Sequence, residues 1–264
     1  MERSRREFLK IAGASAAIGL GARPVIEAVA AATGHQAAPE AQVAHHPEAL
    51  KATRWGMVVD TRKIESAEQI EKMVEACHQE HNVPMLEEER HRIKWIWETH
   101  FHNAFPSQST DRVSEHLEHI LLPVMCNHCE NPPCVRACPT KATFKRESDG
   151  IVMMDFHRCI GCRFCMAACP YGSRSFNFRD PRPFIGEINK AYPTRMKGVV
   201  EKCNFCVERL AVGKLPACVE VSDGILTFGD LDDPESEVSQ MLKENYAIRR
   251  ETNLGTGPSV YYIV

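Results

Sequence analysis

The sequence has 264 residues, enough for one large domain or two small ones with a real core. Apolar residues make up 44% and charged residues 25%, and the formal net charge is −3, which is ordinary for a soluble globular protein. Beyond the N-terminus no stretch approaches the roughly 18 apolar residues of a membrane span, and nothing indicates a nucleic-acid partner or a small-molecule substrate. The exception is the twelve cysteines, most of them between Cys126 and Cys218. A chain of this size needs no disulfides to fold, so these cysteines indicate a ligand role.

The N-terminus resembles a twin-arginine export signal, which we assign to residues 1–32. Arg5 and Arg6 lie between Ser4 and Lys10, and an uncharged run rich in Gly and Ala follows. A short basic amphipathic helix is the alternative, but it does not explain this order. The signal implies export of a folded protein to the periplasm, or to the outer face of the cytoplasmic membrane, where it would be peripheral. Thiolates already bound to metal would not pair in such an oxidising compartment.

The remaining chain divides into a linker and one folded region. Residues 33–54 are rich in Ala, Pro, Gln and His without periodicity, which predicts a linker. The domain, residues 55–264, begins near Trp55. Alternation over Lys94–Phe101 predicts a strand, and Asp233-Pro234 predicts the start of a helix. That helix is expected to carry three apolar residues on one face, Val238, Met241 and Leu242.

Pairs of similar segments indicate an internal duplication. Cys126-Asn127-His128-Cys129 is echoed by Cys203-Asn204-Phe205-Cys206. Downstream of each comes an Asp-Gly turn and an apolar strand, Ile151–Phe156 in one half and Ile225–Phe228 in the other. We therefore predict an α+β fold of two interlocked ferredoxin-like modules with loop insertions and short strands and helices. The outer module comprises residues 55–81 with 200–230, and the inner module comprises residues 122–180.

The cysteine spacing predicts three 4Fe-4S clusters. One motif has the bacterial ferredoxin spacing C-x2-C-x2-C-x3-C-P, in which the fourth cysteine ligates the neighbouring cluster, and a second motif is its matching partner. This crossing predicts cluster 1 on Cys126, Cys129, Cys134 and Cys169, and cluster 2 on Cys138, Cys159, Cys162 and Cys165. The same rule applied to the outer module predicts cluster 3 on Cys77, Cys203, Cys206 and Cys218. All twelve cysteines are then used.

A fourth cluster is predicted to have been lost from the outer module. Ile64 stands where Cys159 stands in the other half, and Ser222 stands where Cys138 does. Zinc would explain the Cys-x2-Cys pairs but not two C-x3-C-P endings in reciprocal positions. A disulfide framework does not suit two-residue spacing on a tight loop. Covalent haem is excluded because the chain has no C-x2-C-H sequence.

Charge agrees with the cluster interpretation. Between Cys126 and Glu220, Lys and Arg outnumber Asp and Glu, which is the sign expected around anionic clusters. Four cations adjacent to predicted ligands are candidates for tuning them: Arg136, Arg158, Arg163 and Lys202.

From Trp55 to Phe228 the chain resembles the multi-cluster ferredoxin-like subunits of membrane oxidoreductases. The segments that carry the resemblance are 126–139, 159–172 and 202–218. It implies a non-catalytic electron-transfer subunit. The export signal, the single Cys77 in the first motif and the ending Tyr261-Tyr262-Ile263-Val264 are similar, in particular, to the periplasmic iron–sulfur subunit of the DsrMKJOP-type complex associated with dissimilatory sulfite reduction.

The resemblance also implies partners: an integral membrane quinone-interacting subunit and a c-type cytochrome subunit. In the family the cluster of the third motif, here cluster 2, faces the membrane subunit. The cluster of the first motif, lost here, faces the molybdopterin subunit, which argues against a molybdoenzyme partner. An electron-transfer subunit of a molybdopterin reductase of the polysulfide or dimethyl sulfoxide reductase type remains the alternative.

Overall fold

The computed structural model of the protein describes residues 46–108, 117 and 119–264. The predicted export signal and the predicted linker as far as residue 45 lie outside these residues. Among the helices of the described part, none has the length and apolar character needed to cross a membrane. The first described strand begins at Trp55, where the sequence predicts the domain to begin.

A four-stranded sheet organises the main core, and its strands lie in the order β8 (Leu226–Asp230), β1 (Trp55–Asp60), β10 (Val260–Ile263) and β9 (Ala247–Ile248). Strand β1 runs antiparallel to β8 on one edge and parallel to β10 on the other. Successive side chains of β1 point to opposite faces, so Met57 and Val59 join the main core while Val58 packs behind the sheet.

Three short antiparallel ribbons lead the chain into the cysteine motifs. They pair β2 (Ile96–His100) with β3 (Leu121–Met125), β4 (Thr143–Lys145) with β5 (Val152–Met154), and β6 (Ser175–Phe176) with β7 (Val200–Glu201). In each ribbon the second strand ends shortly before a cysteine motif, so the ribbons position the loops. The predicted strand at Lys94–Phe101 is confirmed with narrower bounds, because Phe101 already begins a helix.

Short helices follow the strands and loops, and only two of those described exceed one turn or so. They are α1 (Ala67–Glu80), α2 (Phe101–Ala104), α3 (Pro133–Arg136), α4 (Phe164–Ala167), α5 (Val207–Leu210), α6 (Ala217–Glu220) and α7 (Glu237–Glu244). Helix α1 buries Ile70, Met73 and Cys77, whose spacing places them on one face.

Helix α7 differs from its prediction at its start. It begins at Glu237 rather than at Asp233-Pro234. The Ser236 hydroxyl accepts a hydrogen bond from the Ser239 backbone N–H at 3.2 Å, so a serine N-cap fixes the first turn. The predicted apolar face is confirmed, since Val238, Met241 and Leu242 pack together against Val58 behind the sheet.

Candidate metal centres

The structure brings Cys126, Cys129, Cys134 and Cys169 together around one cavity, and we name this set tetrad 1. Cys134 lies in α3 and Cys169 follows α4, so both motifs contribute. The cavity has an empty volume of about 310 Å³. Burial, and then the charges of the other three thiolates, raises the pKa of Cys129 to about 12. Four thiolates in so small a space need a positive core, which a metal centre provides while holding them ionised.

Tetrad 2, the set of Cys138, Cys159, Cys162 and Cys165, lines a second cavity of similar size, about 260 Å³. Burial raises the pKa of Cys138, but hydrogen bonds from Thr143 and Thr140 outweigh it and lower that pKa below its ordinary value. Three of the four cysteines are partly exposed, the exception being Cys165. Tetrad 2 therefore lies near the surface.

Tetrad 3 consists of Cys77, Cys203, Cys206 and Cys218. Burial raises the pKa of Cys77 well above its ordinary value, and the charges of Cys206, Cys218 and Cys203 raise it further. Cys77 comes from the buried face of α1, which packs against α6, the helix that carries Cys218. The structure thus places the isolated cysteine beside the three with which the ligand count groups it.

Tetrad 1 lies between the other two. Cys134 of tetrad 1 and Cys165 of tetrad 2 pack in one buried cluster. Burial raises the pKa of Cys165, and the charge of the Cys134 thiolate also raises it. Burial raises the pKa of Cys203 in tetrad 3, and the charge of the Cys126 thiolate of tetrad 1 raises it further. The order of the tetrads through the protein is therefore 2-1-3.

The first Cys-x2-Cys loop of each of the three tetrads shares one backbone feature. The residue just before the second cysteine has a left-handed conformation in each, with φ of 41° at His128, 70° at Gly161 and 57° at Phe205. This residue reverses the chain so that both sulfur atoms reach the same cavity. The rings of His128 and Phe205 stack, with centroids 3.7 Å apart and planes 15° apart, and so join the loops of tetrads 1 and 3.

Buried polar groups around tetrad 1 fit an anionic iron–sulfur group. Arg174 is buried, and its Nη2 donates a hydrogen bond to the Cys134 sulfur at 3.0 Å. Lys202 is also buried beside the tetrads. The side-chain amide of Asn127 lines the cavity of tetrad 1, and neither of its polar atoms has a protein partner in the described part of the chain. N–H donors facing sulfur are what such clusters require.

Of the four cations proposed from sequence, the structure buries only Lys202. Arg136, Arg158 and Arg163 are exposed. Arg158 pairs with Asp155 at 3.2 Å, and Arg163 lies over the Phe176 ring at 5.5 Å. Arg174 was not among the cations predicted from sequence. It follows the second motif in Tyr171-Gly172-Ser173-Arg174, where no local signal indicates that its side chain turns inward.

Comparison with known proteins places these cysteines in a family context. Residues 117–180 match the family described as 4Fe-4S dicluster domain, and this range contains all the cysteines of tetrads 1 and 2. The chain is 43% identical over 281 residues, covering 98% of this chain and 97% of the relative, to Hdr-like menaquinol oxidoreductase iron-sulfur subunit 1 of Archaeoglobus fulgidus. It is 35% identical over 235 residues, 80% of this chain and 88% of the relative, to the menaquinone reductase iron-sulfur cluster-binding subunit of Nitratidesulfovibrio vulgaris.

A third relative matches a shorter part of the chain. It is a subunit of the tetrathionate reductase of Salmonella typhimurium, 42% identical over 154 residues, which cover 57% of this chain and 54% of the relative. The similarity to the first two relatives extends well beyond the dicluster range, and that to the first includes the parts of the chain that carry tetrad 3 and the main sheet.

Proposed function

The chain belongs to the family of iron–sulfur electron-transfer subunits of menaquinol oxidoreductase-type complexes, and on that premise we propose that it holds three 4Fe-4S clusters, one in each tetrad. The observation that carries the proposal is the assembly of all twelve cysteines into three sets in a row. When bound, each cluster exchanges one electron at a potential set by its surroundings. The chain is not itself catalytic, and its residues hold, space and shield these groups.

We infer three clusters rather than four because the residues at the fourth site of the duplicated pattern have structural roles instead of ligand roles. Ser222 stands where a fourth ligand would lie, and its hydroxyl donates to the Val219 carbonyl at 2.8 Å and accepts the Leu226 backbone N–H at 3.1 Å. Ile64 packs against the main core. Both positions therefore have structural roles that do not involve metal.

Two modules account for the arrangement of the tetrads. Tetrads 1 and 2 draw all their cysteines from residues 122–180, and tetrad 3 draws its own from residues 55–81 and 200–230. The stacked pair of His128 and Phe205, at matching positions of the two motifs, lies where the modules meet. Both observations support an internally duplicated ferredoxin-like protein.

Tetrad 2 is the tetrad that we expect to lie closest to a membrane partner. Its loop carries Ile160 and Phe164, whose side chains are 67% and 60% exposed beside partly exposed ligands. Exposed apolar residues next to a redox group are typical of a docking surface. We infer that this surface meets the integral membrane quinone-interacting subunit. Tetrad 3, at the opposite end, would then exchange electrons with a periplasmic redox partner, a c-type cytochrome. The complex would be a sulfite-reduction-associated complex of the DsrMKJOP type, and this subunit would be exported to it by the twin-arginine route.

A second candidate is the electron-transfer subunit of a molybdopterin reductase of the polysulfide or dimethyl sulfoxide reductase type. The similarity to a subunit of a tetrathionate reductase favours it. Purification of the complex from its own membrane separates the two candidates. Co-purification of c-type haem supports the first, and co-purification of a molybdopterin supports the second.

Substitution of Cys77 tests the cluster assignment. Wild-type protein purified without oxygen should contain about twelve iron atoms per chain, four for each cluster, and its oxidised state should give no paramagnetic signal. Cys77→Ala leaves tetrad 3 with three thiolates, so we expect the paramagnetic signal of a three-iron cluster to appear in the oxidised variant.

Met73→Ala is the matched control, because Met73 lies one turn earlier on the same buried face of α1. It weakens packing there without removing a thiolate, so the iron content and the silent spectrum should persist. A strong three-iron signal in the wild type, unchanged by Cys77→Ala, would refute the assignment of tetrad 3. An iron content of about eight atoms per chain would mean two clusters rather than three and would refute the proposed number.

A further inference from the structure

Two buried cations lie among the tetrads, and in the described part of the chain neither pairs with a carboxylate. The Arg174 side chain is 5% exposed and Lys202 is 1% exposed. None of the ion pairs within the described residues includes either of them. A buried, uncompensated cation is strongly unfavourable. Their counter-charges must therefore be the cysteine thiolates and whatever these thiolates hold.

Arg174 lies between tetrads 1 and 2. Its Nη2 donates to the Cys134 sulfur of tetrad 1 at 3.0 Å, and its positive charge also acts on Cys165 of tetrad 2, which packs in the same buried cluster as Cys134. Its Nη1 donates to the Thr143 hydroxyl at 3.0 Å, which fixes the orientation of the guanidinium fork. Because a guanidinium stays protonated in proteins, this positive charge is permanent.

Lys202 occupies the corresponding place between tetrads 1 and 3. It lies between Glu201, at the end of β7, and Cys203 of tetrad 3. Its Nζ donates to the backbone carbonyl of Cys203 at 2.6 Å and to that of Val152. Burial lowers the pKa of Lys202, and the thiolates that oppose this most strongly are Cys126 of tetrad 1 and Cys203 of tetrad 3.

We propose that Arg174 raises the reduction potentials of the clusters in tetrads 1 and 2, that Lys202 raises those in tetrads 1 and 3, and that tetrad 1 alone is raised by both. The physical reason is that reduction adds a negative charge to a cluster. A fixed cation a few ångströms away in a poorly solvated interior stabilises the reduced state more than the oxidised one. The inference rests on the proposed function, because it requires clusters in the tetrads.

The test is a redox titration of the purified holoprotein, followed by the paramagnetic signals of the reduced clusters. We expect Arg174→Gln to lower the potentials of two of the three couples, those of tetrads 1 and 2. Lys202→Met should lower those of tetrads 1 and 3, so one couple should shift in both variants. Each affected couple should lose about tenfold in its equilibrium constant for reduction, which is about 59 mV for one electron. The control is Arg158→Gln, which removes an exposed cation near tetrad 2 and should move no couple.

Several results would overturn the proposal. The proposal fails if Arg174→Gln leaves all reduction potentials unchanged, or if both variants shift the potentials of all three clusters equally. Either result would show that these cations do not act on particular tetrads. If Arg174→Gln loses iron, Arg174→Lys carries the test, since it keeps the charge but loses the fork. Because the charge is kept, its couples should stay close to their wild-type potentials, and a shift as large as the one expected for Arg174→Gln would contradict us. A wild-type protein without three clusters refutes the proposed function, whereas three clusters with unmoved couples refute only this inference.

Discussion

Gly161→Ala should disable tetrad 2 by distorting the loop that carries Cys159 and Cys162. Gly161 has φ of +70°, a left-handed conformation that costs an L-residue about 1–2 kcal/mol. A Cβ at this position would also lie 2.4 Å from the carbonyl oxygen of Gly198 and 3.2 Å from the Phe176 ring. The first contact is to backbone, so relieving it requires movement of the segment that enters β7.

Gly255→Ala is the matched control for this substitution. Gly255 has nearly the same φ, +65°, but within the described structure no heavy atom lies within 4 Å of the Cβ that would be added. It should therefore cost only the backbone term of about 1–2 kcal/mol. The steric clash at Gly161 adds about 1–3 kcal/mol, typical of overpacking. The difference between the two variants isolates the clash.

The assay is iron content per chain, together with the midpoint of thermal denaturation measured without oxygen. Gly161→Ala should lose about four iron atoms, those of one cluster, and denature at a lower temperature than Gly255→Ala, which should keep its iron. Equal iron content and equal midpoints in the two variants would refute the reasoning, because the loop would then tolerate a Cβ against Gly198.

Three further predictions concern the docking surface, the interior and export. Ile160→Asp should slow electron exchange between the clusters and the membrane quinone-interacting subunit in a reconstituted complex, whereas Tyr246→Asp, at a residue 77% exposed elsewhere, should not. Arg195→Met should lower the denaturation midpoint by an amount equivalent to about 3–5 kcal/mol, because it leaves Glu201, 2.7 Å away and fully buried, without its cation. Replacing both arginines of the predicted signal with lysine should leave the metallated protein in the cytoplasm, as fractionation would show, and normal export would count against the signal.

Tetrads 1 and 2 could be predicted from sequence because their geometry is mostly local. Two-residue spacers keep three sulfur atoms on one loop, and the crossing of the fourth cysteine follows from the short helix that carries it away. Cys77 required an additional argument, the count of ligands. The sequence did contain a local signal for it that the count did not use: Ile70, Met73 and Cys77 have helical spacing, which turns Cys77 toward the core.

The main sheet and Arg174 could not be predicted in this way. The parallel pairing of Met57 with Val260 joins residues about 200 positions apart, and no local pattern specifies it. Arg174 lies in a loop whose composition does not distinguish an inward from an outward side chain. Its orientation depends on Thr143 and Cys134, which only the folded chain brings near.

The shared left-handed residue explains why the tetrads differ in exposure. Gly161 adopts this conformation freely, so the loop of tetrad 2 needs no neighbour to hold it and can lie at the surface. His128 and Phe205 are not glycine, and a strained conformation persists only where surrounding structure determines it. Here each ring supports the other by stacking in the interior. The loops of tetrads 1 and 3 are therefore mutually dependent and buried, whereas the loop of tetrad 2 lies at the surface, where we expect the membrane partner to approach it.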